Sequence, residues 1–227
     1  MIGRNNFSIE YYSNIIKEAK DNKYKFATIN EFIDLGYPAR GYFILRHDLD
    51  KRPTTLKAQL DAELKNGVRS TIFARVTANE YNVLSYPVID LLRTAEKDGF
   101  EIGVHSNFLE YSLINKLDPI KTLKLEFDIL SRFFNIKGLA THRDLNYCHN
   151  SLPYVEENWS QIEKLGIKYN AYDHRICSSS IYVNEGFDPH LCWRDVEPED
   201  AIKTGKSIYM STHNHWWYRK HPYEYPG

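Results

Sequence analysis

Residues 42–67 read YFILRHDLDKRPTTLKAQLDAELKNG, and this stretch contains one complete βα unit. Tyr42-Phe43-Ile44-Leu45 is a short β-rich apolar run. Pro53 stands where a helix begins, Leu56, Leu60 and Leu64 recur at helical spacing, and Gly67 stands where that helix must stop. Proline suits the first turn because its missing N–H has no helical acceptor there. Glycine suits the end because it enters the left-handed region without a Cβ clash.

The unit recurs along the chain. Residues 71–76 form a strand followed by Pro87, Val88, Leu91, Leu92, Ala95 and the stop Gly99. Residues 101–105 precede Asp118 as N-cap, Pro119, and the stripe Ile120, Leu123, Phe127, Leu130, Phe134. Residues 138–142 lead through Pro153 to Trp159, Ile162, Leu165 and Gly166. Further strands are expected at 167–172, 181–183 and 207–212, with a helical turn between Pro198 and Thr204. Ahead of the first unit, residues 7–20 and the capping-box pattern Thr28-Ile29-Asn30-Glu31 predict two helices. We therefore expect one structural domain, a helical N-terminal addition (1–40) packed on a barrel (41–227). Alternating strands and helices imply an α/β fold with a parallel sheet, and six or seven units favour a (β/α) barrel, complete or not, over an open sheet.

Composition narrows the function. With 29 Lys and Arg against 30 Asp and Glu, net charge -1 and no block of like charge, nothing marks the chain for nucleic acid or an anionic membrane. No segment approaches the roughly 18 apolar residues of a membrane span. Cys148, Cys177 and Cys192 are odd in number and lack C-x-x-C spacing, which predicts reduced thiols rather than a disulfide framework or structural zinc knot. The N-terminus, MIGRNNFSIEYY, lacks the basic-then-apolar plan of a signal peptide, and we expect a cytoplasmic protein. Aromatic residues make up 14% of the chain; flat rings with polar edges suit sugars, although core packing accounts for most of them.

In (β/α) barrels, catalytic groups come from the C-terminal ends of the strands. Here those positions hold Arg46-His47-Asp48-Leu49-Asp50, His105-Ser106-Asn107, His142-Arg143-Asp144 and His213-Asn214-His215-Trp216-Trp217. Five of the nine histidines fall there. Singly, each such group has a structural use, an Asp as N-cap or a His as a hydrogen-bonded strand end. Together in one concavity they would need a metal or substrate between them. Imidazoles and carboxylates with an open position are the catalytic zinc pattern, and Mn, Co, Ni or Fe suits the same donors. If the backbone is extended at Asp48-Leu49-Asp50, both carboxylates face one side. One is then free to bind the metal while the other acts as general base, with Arg143 as its pairing partner.

Arg46-His47-Asp48-Leu49-Asp50, the run FEIGVHS at 100–106, an Arg after the fourth strand and Ser211-Thr212-His213 together resemble the polysaccharide deacetylase superfamily of NodB homology fold. More narrowly, they resemble its divergent WbmS-like branch, associated with surface-polysaccharide biosynthesis. The resemblance runs from about residue 40 to 218 with the motifs in the family's order. It implies a distorted (β/α)7 barrel and metal-dependent hydrolysis of an acyl group from an amino sugar. It further implies Asp48 as base, Asp50 and His105 as metal ligands, and His213 as general acid with His215 its competitor. The family's second metal-binding His stands four residues after the first, and here that position is Leu109. His142 is the replacement of choice, with Asn107, Glu110 and His215 as alternatives. Arg143 keeps the family's arginine without its following proline, and the first motif lacks the usual Phe-Asp-Asp-Gly form. Substrate contacts are expected from Asn107, Tyr147, Trp193, His215 and Trp216, with Trp217 as a further stacking face. The substrate implied is a nucleotide- or lipid-linked acylated amino sugar. The alternatives are a metal-dependent phosphoesterase or isomerase, and a carbohydrate-binding protein without turnover.

Overall fold

The computed structural model describes residues 7–142, 151–186 and 192–219. Its first third contains α1 (Ile9–Asp21), β1 (Lys25–Ala27), α2 (Ile29–Asp34), β2 (Tyr42–Leu49), α3 (Pro53–Asn66) and β3 (Thr71–Arg75). There follow α4 (Tyr86–Lys97), β4 (Glu101–Ser106), α5 (Phe108–Asn115), α6 (Pro119–Ser131) and β5 (Gly138–Thr141). The remainder comprises α7 (Leu152–Glu157), α8 (Trp159–Glu163), β6 (Tyr169–Asn170), α9 (His174–Ser179), β7 (Ser180–Asn184), α10 (Pro198–Lys203) and β8 (Ser207–His213), closed by a 3-10 turn, Asn214–Trp216.

The strands form one parallel sheet in the order β6-β5-β4-β3-β2-β8-β7. β1 joins it beside β2, pairing with residues 42–44, while β3 pairs further along with 46–49. β1 and β3 therefore lie end to end, and the N-terminal segment contributes a strand as well as its two expected helices. The sheet curls: Ile44, Phe73, Ala140, Tyr169 and Tyr209, from five strands, meet in one interior cluster. The Tyr209 hydroxyl of β8 donates to the Ala171 carbonyl beyond β6 at 3.0 Å, across the open side. No pairing joins β6 to β7 among the described residues, and α9 enters that gap with Ile176 buried in the same cluster.

Local sequence accounts for most boundaries. Gly67 caps α3 at φ 68, Asp118 accepts from the Lys121 N–H at the start of α6, and Thr28 and Glu31 form the expected capping box. Small residues allow the curl: a Cβ on Gly103 would strike the Phe73 ring, and one on Gly138 the Tyr169 ring. Small strand positions thus leave room for large rings across the barrel interior.

Several elements depart from expectation. The first strand runs on to Leu49, and β6 keeps only two residues of the expected 167–172. The helix expected from Pro153 divides at Asn158. β1, α5 and α9 have no counterpart in the sequence reading; α5 (FLEYSLIN) is apolar on several faces and so shows no helical stripe. Among the described residues, no helix is long and apolar enough to cross a membrane, and Cys177 and Cys192 are free.

Candidate metal centre and catalytic site

Alternation along β2 turns Ile44, Arg46 and Asp48 to the concave side, while Phe43, Leu45 and Leu49 face the outer helices. His47 also faces outward, with Nε2 2.5 Å from Glu63 of α3 and Nδ1 2.7 Å from Thr212, so this strand-end histidine lies behind the site.

Arg46 grips Asp48 with both arms of its fork: Nε and Nη2 donate to the two carboxylate oxygens at 2.7 Å. Its remaining donors reach the Tyr172 hydroxyl at 2.9 Å and the Tyr209 hydroxyl at 3.2 Å. The guanidinium also lies 4.4 Å from the Tyr172 ring centre and 5.3 Å from that of Phe73. Burial pushes the Asp48 pKa up, but the charge of Arg46, with His105 and His213 adding, outweighs it and holds the carboxyl below its usual range. The pairing role expected of Arg143 is thus filled by Arg46, and Arg143 lies outside the described residues.

Asp50 follows β2 and meets three histidines from three other strand ends. Its Oδ1 is 3.2 Å from His105 Nε2 and 3.5 Å from His142 Nε2, and its Oδ2 is 3.8 Å from His213 Nε2. His105 Nδ1 lies 3.0 Å from the Ala140 carbonyl, which only accepts; Nδ1 therefore donates, and Nε2 is turned toward the carboxylates. Burial opposes the Asp50 charge, but the His105 imidazole, with His213 and His142, holds its carboxyl far below the ordinary value.

The donor set fits a divalent transition metal. Asp50, His105 and His142 each offer one atom, all within 4.8 Å of one another. Two ligands about 2.0–2.2 Å from a tetrahedral ion stand roughly 3.3–3.6 Å apart, close to the Asp50–His separations of 3.2 and 3.5 Å. Asp50 Oδ1 and His105 Nε2 are buried without a hydrogen-bond partner, the condition a bound cation would relieve. Burial and the nearby His105, against the pull of Asp50, push His142 down to about 3, so its ring is neutral, and its Nε2 lone pair faces both Asp50 and the Arg75 Nη1 donor 3.2 Å away, which a bound ion would displace. Glu110 and His215, the alternatives for the third ligand, are not in this cluster.

His213 ends β8 and faces both aspartates, with Nε2 4.0 Å from Asp48 Oδ2. Behind it, Glu185 Oε2 accepts from the His213 backbone N–H at 2.7 Å and lies 2.8 Å from Nδ1, while Oε1 accepts from the Trp217 indole N–H. Burial disfavours the imidazolium, but contact with Glu185 and the charges of Asp50 and Asp48 push His213 up to about 9. His215 is instead pushed down to about 4, by burial and the neighbouring His213.

The expected substrate contacts divide. Trp216 is half-buried with its ring centre 5.3 Å from that of His213, and His215 lies 5.6 Å from Trp216, so both stand beside His213. Trp193 does not offer a stacking face. It is 7% exposed, donates its indole N–H to Tyr11 at 3.0 Å and packs on Phe7 and Trp217 beneath α1, where its apolar area completes the outer core. Trp217, 2% exposed, is likewise core. Asn107 is committed to the Thr77 hydroxyl at 2.9 Å, and Tyr147 lies outside the described residues. The sequence places Arg46 at a strand end without giving it a role, and marks neither Arg75 nor Glu185 as a site residue. The first shares the face of Asp48 by period two, and the other two stand at the ends of β3 and β7, where the strand-end rule applies to them as well.

No protein-family model matches the chain, and no curated protein does so by sequence. Solved structures share its fold. The Streptococcus pyogenes deacetylase PplD, in complex with acetate, aligns over 89% of this chain and 80% of its own, with TM-score 0.51 at 12% identity. WbmS of Bordetella bronchiseptica, assigned as a polysaccharide deacetylase involved in O-antigen biosynthesis, aligns over 87% of this chain and 81% of its own, with TM-score 0.53 at 18% identity.

Proposed function

We propose that this chain is a metal-dependent deacylase that hydrolyses an N-acyl, or O-acyl, group from an amino sugar or sugar precursor used in surface-polysaccharide biosynthesis. The substrate is nucleotide- or lipid-linked, and the reaction takes place in the cytoplasm. The fold shared with PplD and WbmS supports this reading. The observation that carries it is the convergence of Asp48, Asp50, His105, His142 and His213 on one point, where Asp50 Oδ1 and His105 Nε2 face each other buried and without a hydrogen bond.

Asp50, His105 and His142 would hold the ion; two imidazoles and a carboxylate favour zinc, with Mn, Co, Ni or Fe also suited. Such an ion, when bound, polarises an acyl carbonyl and lowers the pKa of a water beside it. Asp48 is ionised and clamped by Arg46, so it is placed to take the proton from the attacking water. His213 is protonated at neutral pH and gives its Nε2 proton to the departing amine or alkoxide. Trp216 and His215 frame the sugar next to that proton.

The reading is tested by saturating purified protein with zinc, cobalt or manganese and assaying carboxylate release from N-acyl amino sugars linked to nucleotide or lipid. Acetate or formate release by one metal per chain is expected. Phosphate release from sugar phosphates, with no carboxylate, would give the site to a phosphoesterase instead.

The pH profile probes the acid. His213 is charged below about 9 and loses its proton as pH rises through that value, so activity falls on the alkaline side. In Glu185→Gln the supporting charge is gone, and the alkaline limb moves down toward the ordinary histidine value near 6.5. Activity at pH 8 is expected to drop by about 10-fold or more, within the range a general acid contributes. An unmoved limb assigns the acid role to another group.

A further inference from the structure

The two buried arginines of the site differ in what they hold. Arg46 is satisfied by Asp48, Tyr172 and Tyr209. Arg75, at the end of β3 and 4% exposed, directs Nη1 to His142 Nε2 at 3.2 Å, and the nearest carboxylate oxygen, Asp50 Oδ1, is 4.0 Å away. Its Nε and Nη2 are buried and have no hydrogen-bond partner among the described residues. Glu126, a buried acid in its surroundings, is engaged instead by the hydroxyls of Ser106 and Thr77. A guanidinium is always charged and carries five N–H donors, and burying it half-satisfied is costly. Such a group makes physical sense where an anion arrives during the reaction.

We propose that Arg75 is the anion-binding group of this site: its free N–H groups receive the acyl carbonyl oxygen as it becomes negative and then hold the carboxylate product. This rests on the hydrolase reading. As water oxygen bonds to the acyl carbon, its proton goes to Asp48 and the carbonyl π pair moves onto the oxygen facing Arg75. When the pair returns, the C–N bond breaks, nitrogen keeps that bond's electrons and His213 supplies its proton. The acid left behind gives its remaining proton to the now neutral His213, Asp48 releases its own to solvent, and the products are a carboxylate against Arg75 and a free amine. Donors aimed at developing charge in a water-poor site act mainly on turnover and less on ground-state binding.

The test is calorimetric titration of acetate and formate into the wild-type protein, metal-loaded and after chelator treatment, and into Arg75→Met and Arg75→Gln. Acetate is expected to bind both wild-type forms and to bind either variant about 10- to 100-fold more weakly, the range for one charged hydrogen bond. Metal content should stay unchanged, with kcat reduced and KM nearly constant. Wild-type affinity for acetate in either folded variant overturns the proposal. So does absence of acetate binding to the wild type, a result that needs no variant. A variant that loses metal and recovers full acetate affinity on metal saturation shows Arg75 merely supporting His142, and also overturns it. Carboxylate binding is read without turnover, so the two readings fail separately. A chain that binds acetate through Arg75 but hydrolyses no N-acyl sugar keeps this assignment and loses the hydrolase.

Discussion

Asp50→Ala and His105→Ala proteins are expected to purify with less than about a tenth of the wild-type metal and to lose turnover by about 10^2- to 10^4-fold, the several kcal/mol a metal supplies to such a reaction. Asp50 is the hub, because its two oxygens reach the ring nitrogens of all three histidines. His105 is fixed by its bond to the Ala140 carbonyl and cannot turn its other nitrogen inward without breaking that bond. Loss of a partner one step out from a metal costs about 10- to 100-fold in affinity, and loss of a direct ligand should cost more. The check is elemental analysis together with thermal melts. Wild-type protein should gain Tm when zinc is added, since a ligand bound only by the folded state stabilises it, and the variants should not. Full metal content in either variant would place the ion elsewhere. His142→Ala is expected to follow the same pattern.

Arg46→Met should be the most damaging single change to stability. The side chain is wholly buried and is the sole fork-to-fork partner of Asp48, itself 2% exposed, among the described residues. Removing one member of a buried ion pair costs about 3–5 kcal/mol because the other charge is left without a partner. For a chain of this length, 1 kcal/mol corresponds to about 2–4 °C in Tm, so a loss of roughly 6–20 °C is expected. Arg46→Lys should recover only part of it, since an ammonium cannot reproduce the two parallel bonds. Arg46→Met combined with Asp48→Asn should melt above Arg46→Met alone, because the stranded charge is gone. A melt of Arg46→Met within about 2 °C of wild type would mean that Asp48 is solvated or protonated and that the clamp contributes little.

Much of this was legible before any coordinates. The run from Tyr42 to Gly67 announced its own strand, helix start and helix stop, because each signal acts within a turn or two of chain. The same holds for Asp118, Gly166 and the Thr28 capping box. Period two along β2 placed Asp48 and Asp50 on one face, and Arg46 falls on that face too, yet its role went unread. Its competitor Arg143 was equally plausible as a partner by type. Trp193 and Trp216 are the same residue, both outside the named strands, but one is roofed by Phe7 and Trp217 and the other is only half-buried beside His213. Nothing local separates them.

By itself, then, the sequence determined the βα repeat, the parallel sheet and the gathering of His and Asp at the strand ends, all set by short-range periodicity and capping. The tertiary structure alone decided which of those groups meet. Arg46 with Asp48, Glu185 with His213, and Arg75 left with donors to spare all follow from how far the sheet curls and which strands it brings face to face. That curl depends on packing small residues such as Gly103 and Gly138 against the rings of Phe73 and Tyr169, contacts between residues 30 or so positions apart that no local pattern encodes.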